Sequence, residues 1–266
     1  MSFNPSLVLN QLPSNKIVFW VEKTKSKCLI IPVINEGERI ITFVKKLNEL
    51  LVHEILDIII VDGGSTDGSL DINFLKENNI KGLILKTGNG RLSAQLRIGY
   101  YFALKNNYDG ILTIDGNGKD DPSSLSQFVN KLNEGYDFIQ ASRFIIGGIA
   151  KNTPVQRYFA VKYIHAPILS LFSGFKWTDT TQGYRAYSRR VLEDDRISIF
   201  RNIFSQYELL AYLSYRIPKL GYKCLELPTS RTYPIGEVPT KINGIAGNIN
   251  LLKVLFYACL GKYNPK

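Results

Sequence analysis

The chain has 266 residues, 45% of them hydrophobic and 21% charged, and its 33 Lys and Arg against 23 Asp and Glu leave a net charge of +10. These are ordinary values for a globular protein with a full core, and the positive balance favours anionic partners: nucleotide phosphates, anionic lipid or nucleic acid. Three scattered cysteines, Cys28, Cys224 and Cys259, exclude a Cys-x-x-Cys zinc site and a disulfide framework, and no apolar run reaches the ~18–20 residues that span a bilayer.

The amino-terminal 27 residues are poorly patterned, with Ile17–Val21 expected as an edge strand. Cys28–Ile34 reads as a buried strand, and from Glu38 the residues Ile40, Ile41, Val44, Leu47 and Leu51 recur at helical spacing. Ile55–Val61 is a second strand, Leu70–Asn78 a short helix, Gly82–Lys86 a third strand and Arg91–Asn106 a long helix with Gln95 and Gly99 on one face. Ile111–Asp115 is a fourth strand, a helix follows Pro122, and Phe138–Ala141 is a fifth strand. This alternation predicts a doubly wound α/β domain with a mostly parallel sheet over residues 27–144. Beyond it, helices are expected over Val155–Phe172 and Gln206–Leu220, a strand over Tyr222–Leu227, and a loop-rich tail from Arg231 with a last apolar segment. No repeat or low-complexity linker divides the chain. Residues 1–266 therefore read as one domain, with an acceptor-side extension over residues 145–266.

The stretch GILTIDGNGKDDP (Gly110–Pro122) is the centre of the functional reading. A buried strand that ends in an acidic turn delivers oxygen ligands to the carboxyl edge of a sheet, where open α/β sheets bind their ligands. Asp115 and Asn117, two apart, suit one hard divalent cation, Mg²⁺ or Mn²⁺. Asp-Gly and Asn-Gly are also common turn dipeptides. A calcium loop is excluded, because Lys119 and Ser126 stand where it needs ligands. Other polar groups gather at the remaining strand ends: Asn35 and Glu36, then Asp62, then Lys86 with Gly88-Asn89-Gly90. The Gly-x-Gly-x-x-Gly of a dinucleotide site is missing after the first strand, which disfavours hydride chemistry.

Pro-x-x-Asn-Glu at Pro32–Glu36, VDGGSTDGS at Val61–Ser69 and DGNGKDDP at Asp115–Pro122 resemble the nucleotide half of family 2 glycosyltransferases with the GT-A fold. ASRFIIGG (Ala141–Gly148), TDTTQGYRAY (Thr178–Tyr187) and ELPTSRTYPIG (Glu226–Gly236) resemble its dolichyl-phosphate mannose synthase branch. The resemblance implies a divalent-metal-dependent, inverting transfer of a sugar from a nucleotide diphosphate donor to a polyprenyl phosphate, or alternatively to a glycan hydroxyl. By position, Pro32 and Glu36 shape the nucleobase pocket, Asp62 holds the nucleoside, and Lys86 joins the donor site. Asp115 and Asn117 handle the metal-bound diphosphate. Gly63 stands where a second Asp is common, and Asn117 is a carboxamide where a second carboxylate is expected.

In the synthase branch an arginine at the position of Arg143 meets phosphate, a role its rigid fork suits. Arg157 is a second such candidate, with a surface ion pair as its alternative. Asp179 and Glu208 are the candidate catalytic carboxylates, Glu208 being equally a charge at a helix N-terminus. Asp179 and Arg185 lie where the branch usually has Ser-Gly-Phe-Arg-Ala, with Gln182 for the Ser and Tyr184 for the Phe. His53 and His165 fit no metal or base motif and are taken as structural. The other classes weighed are a sugar nucleotidyltransferase, whose phosphate loop is absent after the first strand, and a basic nucleic-acid-binding module, disfavoured because the aromatics follow core patterns. The expected place is the cytoplasm, with Leu251–Leu260 and the positive charge touching the inner face of the membrane.

Overall fold

The computed structural model describes residues 4–235 and 244–265. A short helix α1 (Pro5–Leu9) and strand β1 (Asn15–Trp20) precede the first repeat of the fold. Then come β2 (Lys27–Val33), α2 (Glu38–Glu49), β3 (Asp57–Asp62), α3 (Ile72–Glu77), β4 (Ile80–Lys86), α4 (Leu92–Lys105) and β5 (Gly110–Thr113). They are followed by α5 (Leu125–Asn133), β6 (Phe138–Ser142), β7 (Ile149–Lys151), α6 (Val155–Ala160), α7 (Ala166–Ser173), β8 (Arg185–Ser188) and α8 (Arg189–Leu192). The chain closes with α9 (Glu208–Lys219), β9 (Cys224–Pro228), β10 (Ser230–Thr232) and α10 (Gly244–Cys259).

Eight strands form the central sheet in the order β1-β4-β3-β2-β5-β8-β6-β9. The pairs among β2, β3, β4 and β5 and between β6 and β9 are parallel, while β1 and β8 run against their neighbours. Strands such as β2 and β3 are buried on both faces, which explains their unbroken apolar sequence. Cys28, Ile30, Ile59 and Val61 point into one layer with α4, α7, α9 and α10. Leu29, Ile31, Ile58 and Ile60 point into the other with α2, α3 and α5. The result is a three-layer α/β/α body.

Several expectations need correction. The sheet does not end at residue 144: β8 and β9, from the second half of the chain, complete it. The polar, four-residue β8 gave no strand pattern of its own and is held by pairing with β5 and β6 on either side. Helix α2 stops at Glu49, and Leu51 beyond it has a positive φ and is 58% exposed; Phe43 takes the expected core place. Asp115 lies two residues past the end of β5 rather than in it. The last apolar segment is a helix, α10. All three cysteines are free. Gly236, the last residue of the sixth motif, lies outside the described residues.

Where α4 crosses the sheet, Gly99 allows the close approach. A Cβ there would sit 2.7 Å from Ile30 Cγ2 and 3.3 Å from Val61 Cγ2. Alanine would raise helix propensity by ~1 kcal/mol. Overpacking a closed contact costs about 1–3 kcal/mol, so the packing term should win. Gly99→Ala is therefore expected to lower the unfolding free energy in urea, and an unchanged or raised midpoint would show that α4 lifts freely.

Candidate active site

A cavity of about 990 Å³ opens along the carboxyl edge of β2, β3 and β5. Its polar end is lined by Pro32, Glu36, Lys86, Asp115, Asn117 and Lys119, and its other end by Val161, Ile164, Leu169, Leu210, Leu251 and Leu255. Arg157, Arg231 and Tyr233 also line it. One pocket therefore offers cations, one metal-type carboxylate and an apolar wall.

At the donor end, Glu36 accepts from Arg39 Nε and Nη2 at 3.1 and 3.0 Å. Lys86 donates to the Gly88 carbonyl at 2.8 Å; burial lowers its pKa, and the charge of Asp62 opposes the shift. Asp62 itself does not line the cavity. Its Oδ1 accepts from Gly64 N, Ser65 N and Ser65 Oγ at 3.1, 2.9 and 2.7 Å, so this carboxylate folds the loop after β3. This is where the structure places the residue expected to hold the nucleoside.

The turn after β5 carries Asp115, which faces the cavity, with Arg231 Nη2 3.7 Å from its Oδ2. Asn117 Oδ1 accepts from Lys119 N at 3.2 Å, and its Nδ2 lies 3.5 Å from Asp115 Oδ2. A Cβ at Gly183 would overlap Asp115 Oδ1, so glycine at 183 leaves the volume the carboxylate occupies. The Asp115 carboxylate and the side-chain oxygen of Asn117 are hard donors of the kind Mg²⁺ or Mn²⁺ takes while keeping water and substrate phosphate as its other ligands, though here it is Asn117 Nδ2 that faces Asp115. Among the described residues no group of three His, Cys, Asp or Glu side chains forms a closed metal cage.

Sequence reasoning missed the cations around this turn. Asp120, almost fully buried, pairs with Arg231, and the backbones interlock through Asp121 N to Ser230 O at 3.0 Å and Thr232 N to Lys119 O at 2.8 Å. Burial, then the neighbouring Arg231, pulls the pKa of Lys119 down to about 8. Tyr233 is covered by Lys119, Arg157 and Arg231, whose charged groups lie 5.3, 5.7 and 5.6 Å from its ring centre. Its hydroxyl accepts from Arg157 Nη1 at 3.0 Å. Burial alone would raise its pKa, but Arg231 and Arg157 outweigh it and bring it down to about 8. Lys119 and Arg231 stood inside motifs already singled out; what was missing was the pairing of two segments over a hundred residues apart.

Arg143 and Asp179 do come together, but away from the cavity. Arg143 Nε and Nη2 donate to Asp179 at 2.7 and 3.1 Å, and both side chains are completely buried. Burial opposes the guanidinium charge, and Asp179 more than offsets it, raising the pKa of Arg143. Glu226 accepts from Thr178 N and Asp179 N beneath them, and Arg185 donates to the carbonyls of Gln182, Thr180 and Leu210. Together these bonds brace the loop whose Thr180 and Thr181 face the cavity. Asp179 is thus a counter-ion rather than a free base, and Arg143 is occupied by it. Glu208 accepts from Gln206 N at 2.7 Å at the start of α9, outside the cavity lining, which is the helix-end alternative. Arg157 does reach the cavity.

The apolar end bears on two further expectations. His165 lines the cavity, in a wide π-helical turn (Val161–His165) directly ahead of Pro167, and burial lowers its pKa. In Leu251–Leu260, Val254, Leu255, Ala258 and Cys259 are buried against the body, so much of that segment is core. Leu260 and Phe256 of that segment stay exposed, as do Ile146, Val155, Phe159, Tyr163 and Leu171 elsewhere.

The sequence pattern of Glycosyl transferase family 2 matches residues 28–196. Polyprenol monophosphomannose synthase of Mycolicibacterium smegmatis is 28% identical over 215 residues, covering 80% of this chain and 79% of that protein. Undecaprenyl-phosphate mannosyltransferase of Micrococcus luteus is 25% identical over 202 residues, covering 75% and 80%. Among solved structures, glucosyl-3-phosphoglycerate synthase from Mycobacterium tuberculosis, in complex with Mn²⁺, UDP-glucose and phosphoglyceric acid, superposes with a TM-score of 0.57 at 15% identity. That match covers 88% of this chain and 79% of the other, and shows the shared fold.

Removing one member of the Arg143–Asp179 pair strands a buried charge, which costs about 3–5 kcal/mol. Asp179→Ala should show that loss in urea unfolding, whereas Glu208→Gln, at a helix end, should stay within about 1–2 kcal/mol. An Asp179→Ala protein of normal stability but without turnover would return Asp179 to a catalytic role.

Proposed function

The chain belongs to glycosyl transferase family 2, in its dolichyl-phosphate mannose synthase-like branch, and we propose that it moves a sugar from a nucleotide diphosphate donor onto a polyprenyl phosphate with inversion. The observation that carries this reading is the cationic cluster of Lys119, Arg157 and Arg231 beside an apolar wall in one cavity. A phosphate on an apolar chain needs both features. A sugar hydroxyl would need a positioned base instead. Two carboxylates line the described cavity: Glu36, held by Arg39, and Asp115, the candidate metal ligand. The similar proteins support the same reading, two being named for polyprenol and undecaprenyl phosphate and a third having been solved with Mn²⁺ and UDP-glucose.

In this reading the donor lies between Pro32, Glu36 and Lys86, with its diphosphate toward Asp115 and Asn117. These two residues would hold Mg²⁺ or Mn²⁺, which when bound neutralises charge on the leaving diphosphate. Lys119 and Arg231 add fixed positive charge on the same side. The acceptor's anionic phosphate oxygen attacks the anomeric carbon, the bond to the diphosphate breaks, and nucleoside diphosphate leaves with the electron pair. No proton has to pass to the enzyme. Arg157 takes the place earlier expected of Arg143 as the arginine that meets acceptor phosphate.

A peripheral contact with anionic membrane belongs to the same proposal. Val155, Phe159 and Tyr163 are 71%, 54% and 59% exposed and follow one another at four-residue steps along the helix that carries Arg157. No helix among the described residues is long and apolar enough to cross a membrane.

The test is transfer from a panel of nucleotide diphosphate sugars to polyprenyl phosphate in anionic vesicles, reading lipid-linked sugar and released nucleoside diphosphate. Transfer should need divalent metal and should fall as salt screens the vesicle contact. Arg157→Ala should raise the KM for lipid phosphate by about tenfold or more while leaving kcat within a few-fold, because a charge-assisted bond to phosphate is lost. Transfer to free glycan hydroxyls with lipid phosphate inert would reverse the acceptor assignment.

A pH dependence follows from Tyr233. Its pKa of about 8 means that a neutral phenol becomes a phenolate above that pH, adding negative charge where an anion is to sit. Affinity for a short-chain polyprenyl phosphate should therefore hold below pH 8 and fall above it, by up to about tenfold per pH unit. Tyr233→Phe should flatten that fall in a calorimetric titration, and an identical profile in the variant would detach Tyr233 from the phosphate site.

A further inference from the structure

Gly63 follows β3 at the mouth of the donor end, and Gln95 reaches toward it from the first turn of α4. A Cβ at Gly63 would lie 3.1 Å from Gln95 Nε2, 3.3 Å from Gln95 Cδ and 3.1 Å from Ile34 Cβ. The φ of Gly63 is outside the left-handed region, so space rather than backbone conformation is what a side chain there lacks. The Gln95 amide has taken it.

The orientation of that amide is fixed. Gln95 Nε2 donates to the carbonyls of Val33 and Val61, both at 2.9 Å, at the ends of two adjacent strands. Turning the group over would set Oε1 against both carbonyl oxygens, so Nε2 must stay where it is. Both amide hydrogens are engaged. Gln95 is 4% exposed, lines the cavity, and its Oε1 accepts no hydrogen bond among the described residues. An acceptor with one fixed direction, on a side chain that lines the cavity, is thus left without a protein donor among the described residues.

We propose that Gln95 reads the nucleobase of the donor, in the volume left by Gly63, and selects a base whose ring nitrogen carries hydrogen, uracil or guanine, over cytosine and adenine. The proposal rests on the nucleotide diphosphate donor reading above. Uracil and guanine present a ring N–H that Oε1 can accept. Cytosine and adenine present a bare ring nitrogen at that edge, and two lone pairs would then face each other. Specificity arises because the wrong base leaves a desolvated acceptor unpaired.

Calorimetric binding of UDP, GDP, CDP and ADP with Mg²⁺ tests it. UDP or GDP should bind about tenfold or more tightly than CDP and ADP, as one matched against one unmatched buried hydrogen bond implies. Gln95→Ala should shrink that ratio to about threefold or less. Because the substitution also unties two strands, thermal unfolding must show that the variant is folded. The double variant Gly63→Asp with Gln95→Ala puts an acceptor back into the vacated volume and should recover the preference, and it decides the matter alone if the single variant does not fold. Equal affinity for all four diphosphates overturns this inference while leaving the donor reading intact, as does an undiminished ratio in folded Gln95→Ala or a double variant without preference. Binding of none of the four overturns the donor reading and this inference together.

Discussion

The buried pair of Arg231 with Asp120 is the contact on which the site depends. It joins the segment after β9 to the turn after β5, and the flanking backbone bonds of residues 119–121 with 230–232 fix their register. Such a pair contributes little net stability, since desolvation cancels much of the Coulomb gain, but breaking it leaves a buried charge without a partner. Its value is therefore positional. The same register sets Arg231 beside Asp115 and lays Tyr233 under Lys119 and Arg157.

That arrangement also sets the electrostatic character of the site. Asp115 has a neutral amide, Asn117, beside it, and a guanidinium 3.7 Å away. A cation that near weakens the pull of the carboxylate on a divalent ion. It strengthens the pull on a diphosphate. In the proposed reaction the neutralising work would be shared between a divalent ion and fixed protein cations, which need no reorganisation when charge develops on the leaving group. Gly183 protects this balance sterically, because any larger residue would displace the Asp115 oxygen.

The sheet was legible where burial on both faces wrote itself into the sequence, as in Cys28–Val33 and Asp57–Val61. The turn of Asp115 and Asn117 was legible because a buried run ending in Asp-Gly has few structural explanations at a sheet edge. Strand β8 was not, since Arg185–Ser188 is short, half polar and defined only by its two neighbours. Nor was the partnership of Arg143 with Asp179, which joins residues 36 apart in sequence and ties two expected catalytic groups to each other. Gln95 was hidden differently: it is one of several polar side chains buried in α4, with Ser93 and Arg97, and the sequence pattern does not say which of them reaches the strand ends. Glu208 had both readings open, and its bond to Gln206 N selects the helix end.

The helix of α6 and its π-helical continuation connects the two functions proposed for the acceptor side. Residues 155, 159 and 163 repeat every four positions and face outward, while Arg157, Ala160, Val161 and Ile164 line the cavity. One wall thus has an apolar outer face suited to an acyl surface and an inner face that carries a guanidinium and then aliphatic side chains. A lipid whose phosphate sits at Arg157 would have its first isoprene units against Val161 and Ile164, without its headgroup leaving the depth of the membrane interface. The wide turn ahead of Pro167 lies in that same wall, and π-turns interrupt helices where function requires an altered side-chain register. His165, within that turn, also lines the cavity, and burial holds its pKa below the ordinary histidine value, which disfavours its charged form. A charged imidazole there would oppose entry of the chain, and a neutral one does not.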